Sequence, residues 1–314
     1  MKEHTRKPTL PVIVGPTAVG KTALAVSLSF YLPRLVVISA DSRQVYRFMN
    51  IGTAKPTREE LETVPHECVD CRNPDEIYSA GEFGKDARER IEAHLQAGDF
   101  PVVVGGSGLY IRACVDGLFE GELSDPELRS QLRLEAQTKG LAHLYERLRR
   151  LDPESAAKIH ANDEQRILRA LELIELTGEP RSAYLKRMKQ ESPYQPVFWG
   201  LTMERTAVYR QIERRVDRML DAGLVEEVVR LKEMGYGREL QSMQTVGYRE
   251  IFAYLYGELS KGNAVELIKQ NTRRFAKRQW TWFRADKRIR WIEITPETDF
   301  KSLAKTLSKE IKKT

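Results

Sequence analysis

The stretch Gly15-Pro16-Thr17-Ala18-Val19-Gly20-Lys21-Thr22 decides the reading of this chain. It fits the pattern G-x-x-x-x-G-K-T of a phosphate-binding loop. An apolar run, Pro11 to Val14, precedes it and reads as a short buried strand, and Ala23 to Leu28 behind it reads as a helix. That strand–loop–helix setting is the context the motif needs. The glycines let backbone N–H groups turn inward around a phosphate, and the helix N-terminus adds partial positive charge. Lys21 is placed to neutralise phosphate oxygens and the Thr22 hydroxyl to ligate Mg²⁺. The bland alternative is a glycine-rich turn that binds nothing.

Further strands follow outward from the loop. Leu35 to Ser39 reads as a second buried strand running into Ala40-Asp41-Ser42-Arg43-Gln44-Val45-Tyr46. Ser79 to Gln96 reads as a helix closed by Gly98, and Pro101 to Val104 as a third strand leading into Gly105-Gly106-Ser107-Gly108. Alternating strands and helices predict a parallel sheet with helices on both faces. In such sheets ligands sit beyond the carboxyl ends of the strands, so the polar segments after all three strands should converge on one site. Asp41 there could be a general base, an outer Mg²⁺ ligand or only a helix N-cap. The third strand lacks the carboxylate with which many ATPases hold Mg²⁺ and set up the attacking water, which argues against an ATP-hydrolysing motor.

After Gly117 the composition becomes highly charged. Helices are predicted over Asp125 to Thr138, Leu141 to Leu151, Asp163 to Thr177 and Pro180 to Lys189, with Gly140 and Gly178 as stops. No strand-like run interrupts them, so this segment reads as a helical insertion. Asn162 is the expected cap of the third helix, with Gln165 reaching back. Arg166 and Arg169 share a face on its first turns, where the helix dipole disfavours cations, which points to an anionic partner; the alternative is the ordinary exposed arginines that helices commonly carry. A returning strand is expected over Pro196 to Leu201, one long amphipathic helix over Thr206 to Met234, further helix to about Arg284 and a last strand over Trp291 to Ile294. On a helix Arg273, Lys277, Trp280 and Arg284 share a face suited to phosphates and base stacking. The alternative is Phe275, Trp282 and Phe283 packing on the core, with solvated basic residues outside.

The 314 residues suffice for one large domain or two ordinary ones, and 41% hydrophobic with 31% charged residues describes a globular protein with a sizeable core. No apolar run approaches the ~20 residues of a membrane span, and the charged Met1 to Pro8 stretch lacks a signal-peptide pattern. A cytoplasmic, monomeric protein is expected. The net charge of +6 is compatible with nucleic acid without demonstrating it. Three cysteines suit a reducing compartment. Cys68-Val69-Asp70-Cys71 lacks the second ligand pair of a zinc site and reads as structural.

Taken in order, these segments resemble the tRNA dimethylallyltransferase family, of bacterial type. The matches are G-P-T-A-V-G-K-T at Gly15, D-S-R-Q-V-Y at Asp41, I-G-T-A-K-P at Ile51, G-G-S-G-L-Y at Gly105, R-I-L-R-A-L-E at Arg166, R-R-V-D-R-M-L at Arg214, Q-T-V-G-Y-R-E at Gln244 and A-K-R-Q-W-T-W-F-R at Ala276. Pro65-His66-Glu67 departs from the family's P-H-H, so His66 receives no role; Ser107 stands where Thr is usual; and no zinc-finger extension of the eukaryotic kind is expected. The resemblance implies a phosphate-loop NTPase-like parallel sheet flanked by helices, residues 1–118 with 197–314, and an all-helical insertion, 119–196, that grips the tRNA anticodon stem-loop. It implies transfer of a dimethylallyl group from its diphosphate to N6 of adenosine 37. Gly15 to Thr22 and Arg215 would hold the diphosphate, with Mg²⁺ on Thr22. Asp41 would be the base, Thr17 would hydrogen-bond the bridging oxygen and Lys21 would neutralise the leaving group. Asp41, Ser42, Arg43, Gln44, Ser107, Gln165, Arg166 and Arg169 match segments that contact tRNA, and the Arg273 and Lys277 face would add to them. The rivals are a phosphate-loop kinase for a small metabolite, prenyl transfer to free AMP, and an RNA-binding protein with a vestigial nucleotide site. The basic aromatic helix argues against the first, the large insertion against the second, and an intact Lys21, Thr22 and Asp41 against the third.

Overall fold

Strands buried on both faces need near-continuous apolar runs, and three segments supply them. The structure, a computed structural model, describes residues 7–117, 123–188 and 191–313. Three expectations therefore lie outside the described residues: the signal-free reading of the first six residues, the domain boundary at 118, and the helix end at Lys189. The chain divides into two compact units, Met1–Val115 with Pro193–Thr314, and Asp116–Ser192.

The first unit is built on a parallel sheet. Its strands are β1 (Thr9–Val14), β2 (Leu35–Ala40), β3 (His66–Glu67), β4 (Phe100–Gly105), β5 (Gln195–Thr202) and β6 (Ile289–Glu293). They lie in the order β3-β2-β4-β1-β5-β6, and every pairing is parallel. In the central strands Val12, Ile13, Val14, Ile38, Val102 and Val103 are inaccessible to solvent. The expected parallel sheet is present, with one addition: β3, two residues pairing with Val37 and Ile38, is too short to leave a periodic signal. The register sets Val14 beside Gly105, and Gly105 beside Ala40, so β1, β4 and β2 end level. Gly105 is required for that approach, because a Cβ there would lie 2.1 Å from the Ala40 carbonyl oxygen.

Helices α1 (Lys21–Ser29), α2 (Arg58–Thr63), α3 (Ala80–Gln96) and α4 (Gly108–Val115) connect the first strands. Ser79 starts α3 with a capping box to Glu82. The second unit contains α5 (Pro126–Lys139), α6 (Leu141–Leu151), α7 (Pro153–Ala156), α8 (Glu164–Thr177) and α9 (Arg181–Arg187), with Leu132, Leu144, Leu148, Ile167 and Leu171 in its own core. The cap of α8 is Asp163, one residue later than expected; its carboxylate accepts from the Arg166 N–H at 3.2 Å. After β5 the first unit continues with α10 (Arg205–Asp221), α11 (Leu224–Glu233), α12 (Tyr248–Leu255), α13 (Lys261–Arg284) and α14 (Phe300–Ile311). The single long helix expected over 206–234 is thus two helices. Gly223, at φ +94°, breaks it in a left-handed conformation that costs glycine little.

Candidate active site

The turns after β1, β2 and β4 are tied together by hydrogen bonds. The Ser107 N–H donates to the Ala40 carbonyl at 3.2 Å, and Ser107 Oγ accepts from the Ser42 N–H at 3.0 Å. Gln279, reaching in from α13, accepts the Thr17 N–H on Oε1 at 2.8 Å and donates through Nε2 to the Gly106 carbonyl at 2.9 Å. One consequence departs from the simplest picture of the loop: the Thr17 N–H turns toward Gln279 instead of inward. Thr17 Oγ1 accepts from Arg215 Nη1 at 3.1 Å, and Lys21 Nζ donates to the Pro16 carbonyl at 2.8 Å. Gly20 has φ +80°, and a Cβ there would stand 2.3 Å from the Phe300 ring.

Asp41 follows β2 immediately and caps a turn rather than a helix. Its Oδ1 accepts the Arg43 N–H at 2.9 Å and the Gln44 N–H at 3.4 Å, which leaves Oδ2 for another proton. Gln44 is committed inside the fold, donating to the Thr53 and Ala54 carbonyls at 3.3 and 3.0 Å. Arg43 donates to the Gln241 carbonyl at 3.3 Å. The loop over Asn50–Ala54 is held from its other side by Glu227 of α11. That carboxylate, 3% exposed, accepts the N–H groups of Asn50, Ile51 and Gly52 and the Tyr248 hydroxyl, at 2.6 to 3.2 Å.

The electrostatics call for an anion. Burial lowers the Lys21 ammonium to about 8; the Asp41 carboxylate opposes that shift and the Arg215 guanidinium adds to it. Burial and the neighbouring Arg218 also hold Arg215 below its usual value. Two cations pressed against desolvation and against each other are relieved by a polyanion between them. The sign of the pH effect follows. Around pH 8.5 much of the free site carries a neutral Lys21, and a diphosphate bound here would raise its pKa, so its binding would take up a proton. Titration calorimetry in buffers of different ionisation enthalpy should show that uptake at about pH 8.5, little at about pH 7, and none at either pH for K21A. Uptake that persists in K21A would assign the proton to another group.

Elsewhere the predicted residues fall into different settings. On α8, Gln165 and Arg166 are exposed, and Arg166 pairs with Asp163 at 3.3 Å. Arg169 instead faces inward, donating to the Leu123 carbonyl and to fully buried Glu172, each at 2.7 Å. Arg129 and the Asp125 N–H complete the Glu172 cage at 2.9 Å. Burial works against the Glu172 charge, yet these donors keep its pKa below the usual carboxylate value. On α13, Lys277 is exposed and Arg273 pairs with Glu213 at 2.6 Å. Trp280 leaves the expected basic face: it is 7% exposed and packs with Phe283 and Ala276 in the core, while Trp282 and Phe275 emerge at the surface. His66 binds the Val64 carbonyl at 2.8 Å. Cys68, Cys71 and Cys114 form no disulfide, and burial pushes Cys68 up to about 12. Among the described residues no helix is long and apolar enough to cross a membrane, and no cluster of three or more His, Cys, Asp or Glu could hold a metal ion.

The family model described as IPP transferase matches residues 44–286. The chain belongs to the IPP transferase family. Among members of this family, the tRNA dimethylallyltransferase of Carboxydothermus hydrogenoformans is 47% identical over 291 residues, spanning 92% of this chain and 93% of that one. The full-length tRNA isopentenylpyrophosphate transferase of Bacillus halodurans superposes with a TM-score of 0.73 at 40% identity, covering 98% of this chain and 96% of its own. A eukaryotic dimethylallyltransferase acting on tRNA superposes with a TM-score of 0.83 at 26% identity, covering 98% and 79%.

Sequence reasoning missed two residues of this IPP transferase site. Gln279 lies in the A-K-R-Q-W-T-W-F-R segment, on the helix stripe of Ala276, Trp280 and Phe283. A lone amide on an apolar stripe is a signal in itself, since a buried polar group requires partners. Glu227 carries the same signal, a carboxylate on the stripe of Leu224, Val228 and Leu231.

Proposed function

We propose that this chain transfers a dimethylallyl group from dimethylallyl diphosphate to the exocyclic N6 of adenosine 37 in tRNA. tRNA prenylation is the activity its family membership carries. The observation that supports the finer reading is the juxtaposition of Thr17 with Arg215 and Lys21 at the end of β1, and of Asp41 at the end of β2, in turns joined through Ser107 and Gln279. The adenine amine is a weak nucleophile because its lone pair is delocalised into the ring. As N6 bonds to the allylic carbon, the carbon–oxygen bond breaks and its electron pair passes to the diphosphate. The surplus N6 proton goes to Asp41 Oδ2. Lys21 and Arg215 stabilise the charge that develops on the departing diphosphate, where preorganised donors act most strongly. The Thr17 hydroxyl donates to the bridging oxygen. Thr22 offers a hard oxygen ligand beside the phosphate site, which fits a Mg²⁺ held mainly by substrate oxygens and water; that ion would supply further charge neutralisation. The adenine must leave its stack to react.

Incubation with dimethylallyl diphosphate, Mg²⁺ and either tRNA or free AMP tests this reading. N6-prenyladenosine at position 37 of tRNA, and also in an isolated anticodon stem-loop, is the expected product. Efficient prenylation of AMP would return the reaction to the small-molecule class.

We further propose that Arg166 and Gln165 in the helical unit, and Lys277 and Arg273 on α13, contact the RNA backbone; Ser42, Arg43, Gln44 and Ser107 would flank the reacting base. R166A should raise the KM for tRNA and reduce the salt slope of binding by about one. R169A should act differently, since it leaves Glu172 with one charged partner fewer. Leaving a buried charge unpaired costs about 3–5 kcal/mol; with Arg129 still on Glu172 the loss should stay below about 3 kcal/mol, to be read as a lowered denaturation midpoint of the full chain. A stable R169A that binds tRNA poorly would make Arg169 a direct contact instead.

A further inference from the structure

Gln279 is 6% exposed and makes two hydrogen bonds of opposite sense, accepting from Thr17 and donating to Gly106. These join residues 262 and 173 positions away in sequence. A primary amide is the neutral side-chain group that offers a carbonyl and an N–H together. A Cβ on Gly106 would stand 2.4 Å from Gln279 Nε2, so the glycine makes room for this contact. The Thr17 hydroxyl oxygen already accepts from Arg215, which directs its hydrogen elsewhere. Resting on the transfer reaction above, we propose that Gln279 is a positioning residue of the transfer step. By holding the Thr17 N–H it sets the backbone of that residue, and thereby aims the Thr17 hydroxyl at the bridging oxygen of the leaving diphosphate. A purely structural glutamine would tie α13 to the sheet through the same two hydrogen bonds without affecting where the Thr17 hydroxyl points.

The two roles separate in a double-mutant cycle. Q279M keeps the length and loses both hydrogen bonds. Q279E keeps an acceptor for Thr17 but sets a second oxygen against the Gly106 carbonyl. Misplacement of a reacting group by about 1 Å can cost about 10²-fold in rate. Q279M should lower the single-turnover rate on tRNA by about that factor, while changing diphosphate affinity and the KM for tRNA far less. In a T17A background Q279M should cost nothing further, because the group it positions is gone. Losses that multiply in the double variant, with T17A itself slow, would overturn the positioning role and leave the transfer reading intact. Equal rates for wild type and T17A would overturn the Thr17 contact and the positioning role with it, whereas no prenyl transfer by the wild type would overturn the transfer reading. Should the thermal midpoint show that Q279M does not fold, Q279E carries the cycle with the opposite expectation: its oxygen still accepts the Thr17 N–H, so it should lose far less rate than T17A, and a loss as large as T17A's that multiplies with it would overturn the positioning role.

Discussion

Replacing Asp41 by Asn should lower the single-turnover rate of prenyl transfer by about 10²–10⁴-fold, the usual cost of losing a positioned base. The geometry makes this substitution clean. Asn keeps an oxygen where Oδ1 accepts the Arg43 and Gln44 N–H groups, so the turn after β2 survives. At the other position an NH₂ replaces Oδ2 and donates where the reaction needs an acceptor. Affinity for dimethylallyl diphosphate should be largely retained, because the phosphate loop is untouched. Rapid-quench measurement of prenylated tRNA at saturating substrates reads the chemical step directly. A near-normal rate would remove Asp41 as the base and leave it as the cap of a turn.

Lys21→Ala produces the second large effect, and on a different quantity. Hydrogen bonds to charged groups contribute about 1.5–3 kcal/mol, so diphosphate affinity should fall about 10- to 150-fold. The rate should fall as well, since the same ammonium faces charge that grows as the diphosphate leaves. The deficit should also shrink with rising pH. Above about 8 the wild-type lysine is itself increasingly neutral, so wild type and variant converge. Equilibrium binding of the diphosphate across that range measures both the gap and its closure. An affinity indifferent to Lys21 at neutral pH would mean that the diphosphate lies elsewhere. Arginine is a poor replacement, because its planar fork does not fill the place of a point charge that already reaches the Pro16 carbonyl.

The sheet was legible because strands covered on both faces leave unbroken apolar runs, as at Leu35–Ala40 and Phe100–Gly105. The turn between β1 and α1 is legible because its two glycines and its lysine fall within one short stretch. What escaped was whatever depends on distant partners. Gln279 finds Thr17 and Gly106 only after α13 has docked on the sheet. Trp280 and Trp282 sit two positions apart, about 200° around a helix, and composition alone cannot say which one the core takes. Arg169 reads as one of two cations on a helix face, yet Glu172 three residues on is a visible partner in the sequence. The break between α10 and α11 was hidden because one glycine inside an amphipathic pattern resembles many that helices tolerate.

Glu227 has a consequence for the kinetics of encounter. Its carboxylate gathers three successive amides of the Asn50–Gly52 segment, and Gln44 grips the Thr53 and Ala54 carbonyls from the opposite side. Ordering one residue's backbone costs about 1–2 kcal/mol, so a floppy loop here would subtract several kcal/mol from association with any substrate. The order is acquired once, during folding, when α11 seats against the loop. A substrate docking against this loop would meet a surface already in its final shape, and that association would carry no coupled-folding step for the loop.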